Sequence, residues 1–158
     1  QEWRPFWKEH GRRKGQLFHA NTLAVLDGRI ADRMPAFAAG NVLTSPKYID
    51  TICVVDLEKE EVVWAHRGGF AAQHDPQILD NGNLLLFDNH HAAPEEGMPQ
   101  SRVEEYDPVT MTVQWSYGGP DVPFYTDTCG AAQRLPGGNT LITESDNGRA
   151  IEVTPAGL

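Results

Sequence analysis

Three side chains in this sequence are suited to chemistry on an anion, and each of them opens a strand-like segment. His19 begins HANTLAVLD, His74 begins HDPQILDNG and Arg102 begins RVEEYD. A guanidinium offers a planar fork of donors to a sulfate, phosphate or carboxylate, and imidazole donates a hydrogen bond or moves a proton near neutral pH. Taken singly, each histidine is better explained by a structural role, and Arg102 by an ion pair with Glu104 or Glu152. Their meaning therefore depends on where the fold places them.

A repeated strand pattern predicts that fold. Turn signals built on Gly-Asn or Asn-Gly recur at residues 39–41, 79–83 and 135–139, and such dipeptides allow the positive φ of a tight hairpin. The strand after each turn leads to a second strand-like segment, TICVVD, RVEEYD or RAIEVT, and the first two continue through a polar turn into EVVWAH and TVQWSY. Units of four short strands that repeat at about fifty residues are typical of β-propeller blades.

The sequence thus predicts an all-β chain, organised as a single partial β-propeller domain over residues 1–158 with about three four-stranded blades. A β-sandwich would explain the strands but not the register of the repeat. The predicted blades cover approximately residues 17–66, 73–117 and 129–158. Residues 1–16 are predicted to be the end of a preceding blade strand plus a loop, with a short helical turn at 6–15.

Composition restricts the classes of partner. The net charge is −9 over 158 residues and no face carries a dense Lys/Arg stripe, so nucleic acid is not an expected partner. No apolar run is long enough to suggest a membrane span. Cys53 and Cys129 lie in different predicted blades and are predicted to be free thiols. The chain starts at Gln1 with neither an initiator Met nor a signal peptide, which suggests a processed or truncated product.

One face of the predicted propeller collects the long connections. In an up-and-down blade with strands A to D, the B–C loops and the connections to the next strand A share a face, and residues 89–100 and 118–128 are such connections. His19 and His74 are predicted to start strand A of successive blades on this face, and Arg102 to start a strand C there. Loops on a rigid scaffold often carry function. We therefore expect two imidazoles and a guanidinium to converge there on an anion.

A metal site has weaker support. His90 and His91, with Asp88, Glu95 and Glu96, could gather an ion, but their spacing matches no known zinc pattern. A polar loop is the favoured interpretation. No metal or cofactor site is predicted.

Two pairs of aromatic residues also occupy informative positions. Trp64 and Trp115 stand at equivalent places in the predicted D strands, which indicates packing between blades. Phe124 and Tyr125 could line an aromatic pocket on the candidate face, and core packing explains them equally well.

The order of these motifs resembles a known family. FHANTLAVL, QHDPQILDNGNLLLFDN, SRVEEYDPVTMTVQWSY and GAAQRLPGGNTLITESDNGRAIEVTPAG follow one another as in the arylsulfotransferase (aryl-sulfate sulfotransferase) family of six-bladed propellers. The resemblance covers nearly the whole chain. It implies sulfuryl transfer from a phenolic sulfate ester to a phenolic acceptor, without a nucleotide donor or other cofactor, by a ping-pong mechanism through a sulfated histidine.

The resemblance also implies roles for individual residues. His19 in HAN and His74 in QHD correspond to auxiliary active-site histidines, and Arg102 in SR to a sulfate-binding arginine. Together they would stabilise charge and manage protons around the transferred group. The predicted substrate-binding residues are Asn21, Asp75, Phe124 and Tyr125. Family resemblance alone favours a periplasmic or secreted location.

A second interpretation comes from another functional class. The same face could belong to a noncatalytic propeller module that binds an anionic or aromatic ligand. The sulfated histidine of the family lies downstream of the EVTP segment, and this chain ends at Leu158 just after it, so no nucleophile is assigned. The reaction is therefore expected to be incomplete in this chain alone.

The predicted blades also leave the ring open. The third blade lacks strand D, and the segment QEW at residues 1–3 is similar to the end of such a strand. An open ring exposes a sheet edge and an apolar flank. We expect either a second copy of the chain, arranged head to tail as a homo-oligomer, or the remainder of a longer protein to close it.

Overall fold

Antiparallel strands make up nearly all of the regular structure. A computed structural model describes residues 17–91, 100–119 and 122–158, which form three sheets. The strands of sheet 1 are β1 Ala20–Val25, β2 Val42–Pro46, β3 Thr51–Asp56 and β4 Glu61–Arg67. The strands of sheet 2 are β5 His74–Ile78, β6 Leu84–His91, β7 Gln100–Asp107 and β8 Thr112–Gly118. The strands of sheet 3 are β9 Ala131–Arg134, β10 Thr140–Glu144 and β11 Arg149–Val153. Two short 3-10 helices, Pro35–Phe37 and Lys47–Ile49, lie in the connections of sheet 1.

Within each sheet the strands follow one another in chain order, and every neighbouring pair is antiparallel. This up-and-down order confirms the all-β prediction and the predicted succession of strands. Sheet 3 has three strands in the part of the chain that the structure describes.

The connection between β6 and β7 is shorter than predicted. Residues 89–100 were expected to form a loop, but β6 continues to His91, which pairs with Gln100 of β7. A register shift between Asp88 and His91 allows the ladder to continue past the last regular pair, Asp88 with Arg102. Outside the described residues lie the predicted helical turn at 6–15, the QEW segment, Glu95, Glu96 and the side chain of His91.

Sheet 2 is buried on both faces because β6 is apolar on both. Successive residues of a strand point to opposite sides, so Leu84 and Leu86 enter one core cluster while Leu85 and Phe87 enter another. The first cluster lies against sheet 1 and includes Phe37, Leu43, Ile52, Val54, Phe70 and Tyr106. The second lies against sheet 3 and includes Val103, Phe124, Ala132, Ile142 and Val153.

The tryptophans and cysteines are placed as predicted. Trp64 packs against the first cluster, with its ring centroid 5.0 Å from that of Phe37, and Trp115 packs against the second. Cys53 and Cys129 are both free thiols, the former buried and the latter exposed. Among the described residues, no helix is long and apolar enough to cross a membrane.

Gly130 yields a test of the packing between sheets 2 and 3. It has a φ of +92°, and a Cβ at this position would lie 2.7 Å from ring atoms of Phe87. Gly130→Ala combines backbone strain with overpacking, so we expect it to lower the free energy of unfolding by about 1–3 kcal/mol. Urea denaturation measures the change.

The matched control is Gly137→Ala, because a Cβ at Gly137 meets nothing within 4 Å. This variant should stay within about 1 kcal/mol of the unmodified protein. Equal effects of the two substitutions would contradict the described contact between Gly130 and Phe87.

Candidate functional site

His74 is held in one orientation at the start of β5. Its Nδ1 lies 2.6 Å from Oδ1 of Asn89, a residue with no exposed surface. The amide of Asn89 is itself fixed, because Nδ2 donates to the carbonyl oxygens of Thr126 at 3.0 Å and Cys129 at 2.8 Å. Oδ1 therefore accepts the hydrogen bond, and His74 Nδ1 donates it. In the neutral ring this leaves the lone pair on Nε2.

The surroundings of His74 keep it neutral. Burial lowers the pKa of His74 below the usual 6.5 of histidine, and the positive charges of Lys47 and His19 lower it further. The hydrogen bonds to Asn89 and to the backbone of Ala72 act in the opposite direction but do not reverse the shift. At neutral pH the ring is thus a hydrogen-bond acceptor and a proton acceptor at Nε2.

Lys47 is a charged neighbour of this site that the sequence patterns did not single out. It starts the 3-10 helix after β2, and only 9% of its surface is exposed. Its Nζ lies 5.6 Å from the centroid of the Tyr48 ring, within cation–π range. The His19 ring lies 4.8 Å from the same Tyr48 ring. The structure therefore gathers His19, Lys47 and Tyr48, and the charges of Lys47 and His19 act on the pKa of His74.

The two predicted histidines do not hold equivalent places in their sheets. The pair beside the hairpin turn is Val25 with Val42 in sheet 1 and Ile78 with Leu84 in sheet 2, and a register shift interrupts each ladder before these pairs. His74 lies four residues before Ile78, whereas His19 lies six residues before Val25, outside β1 and with a φ of +45°. The extra residue of a β-bulge cannot be located by counting along the sequence.

Arg102 lies on the other face of sheet 2. It pairs with Asp88, whereas His74 pairs with Phe87, the preceding residue of β6, and neighbouring residues of a strand face opposite sides. Its Nη1 lies 4.0 Å from Oε1 of Glu104. Within the described ranges no contact joins Arg102 to either histidine. The convergence of all three on an anion stays a prediction, and the ladder places Arg102 on the face of sheet 2 opposite to that of His74.

Asn21 and Asp75 join the first strands of neighbouring sheets. Asn21 Nδ2 donates to the carbonyl of Gln73 at 2.8 Å, and Asp75 Oδ2 accepts from the backbone N–H of Ala132 at 3.3 Å. Burial raises the pKa of Asp75. Asp75 also borders a cleft of about 380 Å³ between β5 and β9. Both residues have structural partners, and their role in substrate binding stays a prediction.

The aromatic pair divides between the core and the surface. Phe124 is 4% exposed, and its ring centroid lies 5.8 Å from those of Phe87 and Tyr117, so it is a core residue. The hydroxyl of Tyr125 donates to Oδ1 of Asp127 at 2.9 Å. Partial burial and this contact raise the pKa of Tyr125 to about 12, so it remains protonated at neutral pH.

His90 forms the outer part of the same region. Its Nε2 lies 2.9 Å from Oδ1 of Asp127, and its ring stacks on that of Tyr125 with centroids 6.1 Å apart. The hydrogen bond from Tyr125, the contact with His90 and the charge of Lys47 together lower the pKa of Asp127. We use the term rim for the surface formed by His19, Lys47, His74, His90 and Asp127.

A metal centre does not assemble in the described part of the chain. There, no three His, Cys, Asp or Glu side chains lie close enough to share an ion. His90 binds Asp127, and Asp88 accepts a hydrogen bond from the backbone of Ala71 at 2.9 Å.

Comparison with known proteins places these features in a family. The family model of arylsulfotransferases (ASST) matches residues 5–158. The chain belongs to the arylsulfotransferase family. This confirms the resemblance carried by the HAN, QHD and SR motifs, and membership supports a sulfotransferase-like function. No curated protein matches this arylsulfotransferase-family chain.

Solved structures similar to this arylsulfotransferase-family chain include β-propellers. A protein of unknown function from Bacteroides caccae is 16% identical with a TM-score of 0.55, over 92% of this chain and 45% of that one. Virginiamycin B lyase from Staphylococcus aureus is 14% identical with a TM-score of 0.52, over 89% of this chain and 42% of that one. The WD40 β-propeller domain of Doa1 is 13% identical with a TM-score of 0.51, over 84% of this chain and 35% of that one. The fold is thus of the β-propeller type, and the chain spans less than half the length of each of these proteins.

The state of His74 can be tested directly. We expect long-range proton–nitrogen NMR spectra to show the Nδ1–H tautomer, since Asn89 Oδ1 accepts from Nδ1. Asn89→Asp places a carboxylate at the same position, so it should raise the pKa of His74 by favouring the charged ring. The matched control is Asn41→Asp, because Asn41 donates to the carbonyl of Ala36 in another part of sheet 1. An Nε2–H tautomer in the unmodified protein would refute the assignment.

Proposed function

We propose that this chain carries part of the active site of an enzyme that transfers a sulfuryl group from a phenolic sulfate ester to a phenolic acceptor. Family membership supports the reaction class. The observation that carries the proposal is the fixed, neutral His74, whose Nδ1–H is bound to Asn89 and whose Nε2 keeps its lone pair. The proposal does not rest on the predicted position of Arg102.

The reaction requires a proton acceptor. When the acceptor phenol attacks sulfur, its O–H bond breaks and a new O–S bond forms, while the bond from sulfur to the departing group breaks. The departing group is the donor phenolate in a direct transfer, or the imidazole of the sulfated histidine if the reaction is ping-pong. In either case the acceptor must lose a proton, and in this proposal Nε2 of His74 takes it. Positive charge from Lys47 and His19 would stabilise the negative charge on the sulfuryl oxygens.

The nucleophile and the closed ring are assigned to parts beyond this chain. No described histidine stands in the motif that carries the sulfuryl group in the family. A second copy of the chain or the remainder of a longer protein would supply both, and a periplasmic or secreted location is the one that the family favours. No cofactor is included in the proposed reaction.

A transfer assay tests the proposal. Full-length protein incubated with 4-nitrophenyl sulfate and a phenol should release nitrophenol and form the new sulfate ester. His74→Gln should lower kcat/KM by about 100-fold or more, the usual range for loss of a general base. The control is His66→Gln, because His66 lies on the outer strand β4 with its ring centroid 5.9 Å from Phe70. Aryl sulfate binding without transfer would instead favour the noncatalytic binding module.

The pH profile gives a second test. The base must be unprotonated, so the rate is full above the pKa of His74 and is lost as pH falls through it. Since burial and the nearby charges of Lys47 and His19 lower that pKa, the acidic limb of kcat/KM should lie below pH 6.5. A limb above pH 6.5 would show that another group controls the rate.

A further inference from the structure

The side chain of Lys47 is largely buried, and no carboxylate within the described residues pairs with its ammonium. Lys47 is 9% exposed, and within 4.0 Å of its Nζ the described part of the chain places no Asp or Glu oxygen. The charge of Lys47 lowers the pKa of Asp127, but Oδ1 of Asp127 is already within hydrogen-bond distance of Tyr125 and His90. The ammonium of Lys47 is therefore not neutralised by a described carboxylate. An anion that entered the rim would meet this positive charge.

The position of Lys47 is defined by its neighbours. Its Nζ lies 5.6 Å from the centre of the Tyr48 ring, and Tyr48 is anchored by a backbone hydrogen bond of 3.3 Å to the carbonyl of Phe18. His19, the residue after Phe18, places its ring 4.8 Å from the same aromatic ring. Tyr48 thus lies within contact range of an ammonium and an imidazole that both act electrostatically on His74, and both of them can donate hydrogen bonds to sulfate oxygens.

Arg102 is less suited to this task. Glu104 and Asp88 are both almost fully buried, Glu104 lies 4.0 Å from the guanidinium, and Asp88 is the ladder partner of Arg102. Their negative charges offset that of Arg102 and repel a second anion. The guanidinium also packs against Gly119, where a Cβ would lie 3.2 Å from Nη2.

We propose that Lys47, rather than Arg102, is the cation that binds the sulfate group of the substrate, with His19 as a second donor. This inference deepens the proposed sulfuryl transfer, on which it rests for the identity of the substrate. It names a binding residue on the connection between β2 and β3 that lies outside the HAN, QHD and SR motifs.

Titration with inorganic sulfate tests the site separately from turnover. Calorimetry on the full-length protein, at constant ionic strength with chloride as the reference salt, should detect sulfate binding. Lys47→Met keeps the apolar stem and should weaken binding by about tenfold or more, the loss expected for a charge-assisted hydrogen bond. Lys47→Arg should recover part of the affinity. The matched control is Lys59→Met, which removes the same charge from an exposed residue paired with Asp56.

A second readout reports on geometry. Because the charge of Lys47 lowers the pKa of His74, Lys47→Met should raise that pKa in an NMR titration, and bound sulfate should raise it in the unmodified protein. Lys59→Met should do neither. The other groups that act on this titration are His19, which precedes β1, Asn89 on β6 and the backbone of Ala72 just before β5.

The outcomes separate the two proposals. Sulfate binding that depends on Lys47, in a protein that transfers no sulfuryl group, would support the anion site and refute the proposed reaction. Transfer with sulfate affinity unchanged in Lys47→Met would support the reaction and overturn the role of Lys47. Absence of sulfate binding to the unmodified protein would also overturn it, as would a loss of affinity in Arg102→Met alone.

Discussion

The constraint on which the structure depends is that sheet 2 must bury both of its faces. The four apolar residues of β6 alternate between two clusters, so the strand joins sheet 1 to sheet 3 through its side chains. Each large apolar side chain buried in this way contributes about 1.5–3 kcal/mol. The strand cannot stay apolar to its end, because its last residues reach the rim. There it changes to Asp88 and Asn89, which are fully buried and must find polar partners.

Those partners fix the rim from both sides. Gln73 is also fully buried. Its side-chain Nε2 donates to the backbone carbonyl of Thr51 at 2.7 Å, and its backbone carbonyl accepts from Nδ2 of Asn21. The backbone immediately before His74 is thereby tied to sheet 1. The ring of His74 is tied through Asn89 to the carbonyls of the segment that leads into sheet 3. Hydrogen bonds thus connect the segment around His74 to all three sheets, and the orientation of the imidazole follows from these connections.

The sequence predicted the strands well because their signals are local. Gly-Asn and Asn-Gly turns, with alternating or doubly apolar segments beside them, mark β2, β6 and β10 without any knowledge of tertiary contacts. The predicted site was less complete because it depended on register. β1 and β5 are both irregular near their start, and His19 and His74 lie at different distances from the pair beside their hairpin turns, so they are not equivalent. Arg102 and His74 pair with neighbouring residues of β6 and therefore face opposite sides of sheet 2.

Lys47 shows a different limit. Its residue type and its place after β2 are visible in the sequence, and the topology puts that connection on the candidate face. Its significance comes from burial and from the lack of a described carboxylate partner, and both depend on tertiary packing. A lysine in a connection is usually a solvated residue, so a pattern search has no reason to select it.

The charge of Lys47 and the basicity of His74 are linked, and the direction of the link suits a transfer reaction. The charge of the ammonium lowers the pKa of the imidazole, which keeps the ring neutral and able to accept a proton. If a sulfate group binds to Lys47, its negative charge offsets that field, and His74 becomes a stronger base while substrate is present. The proton released by an attacking phenol would then meet an acceptor whose pKa has moved toward the operating pH, which is the condition for efficient general base catalysis. One buried cation would in this way serve both to bind the donor and to couple its arrival to the basicity of the neighbouring histidine.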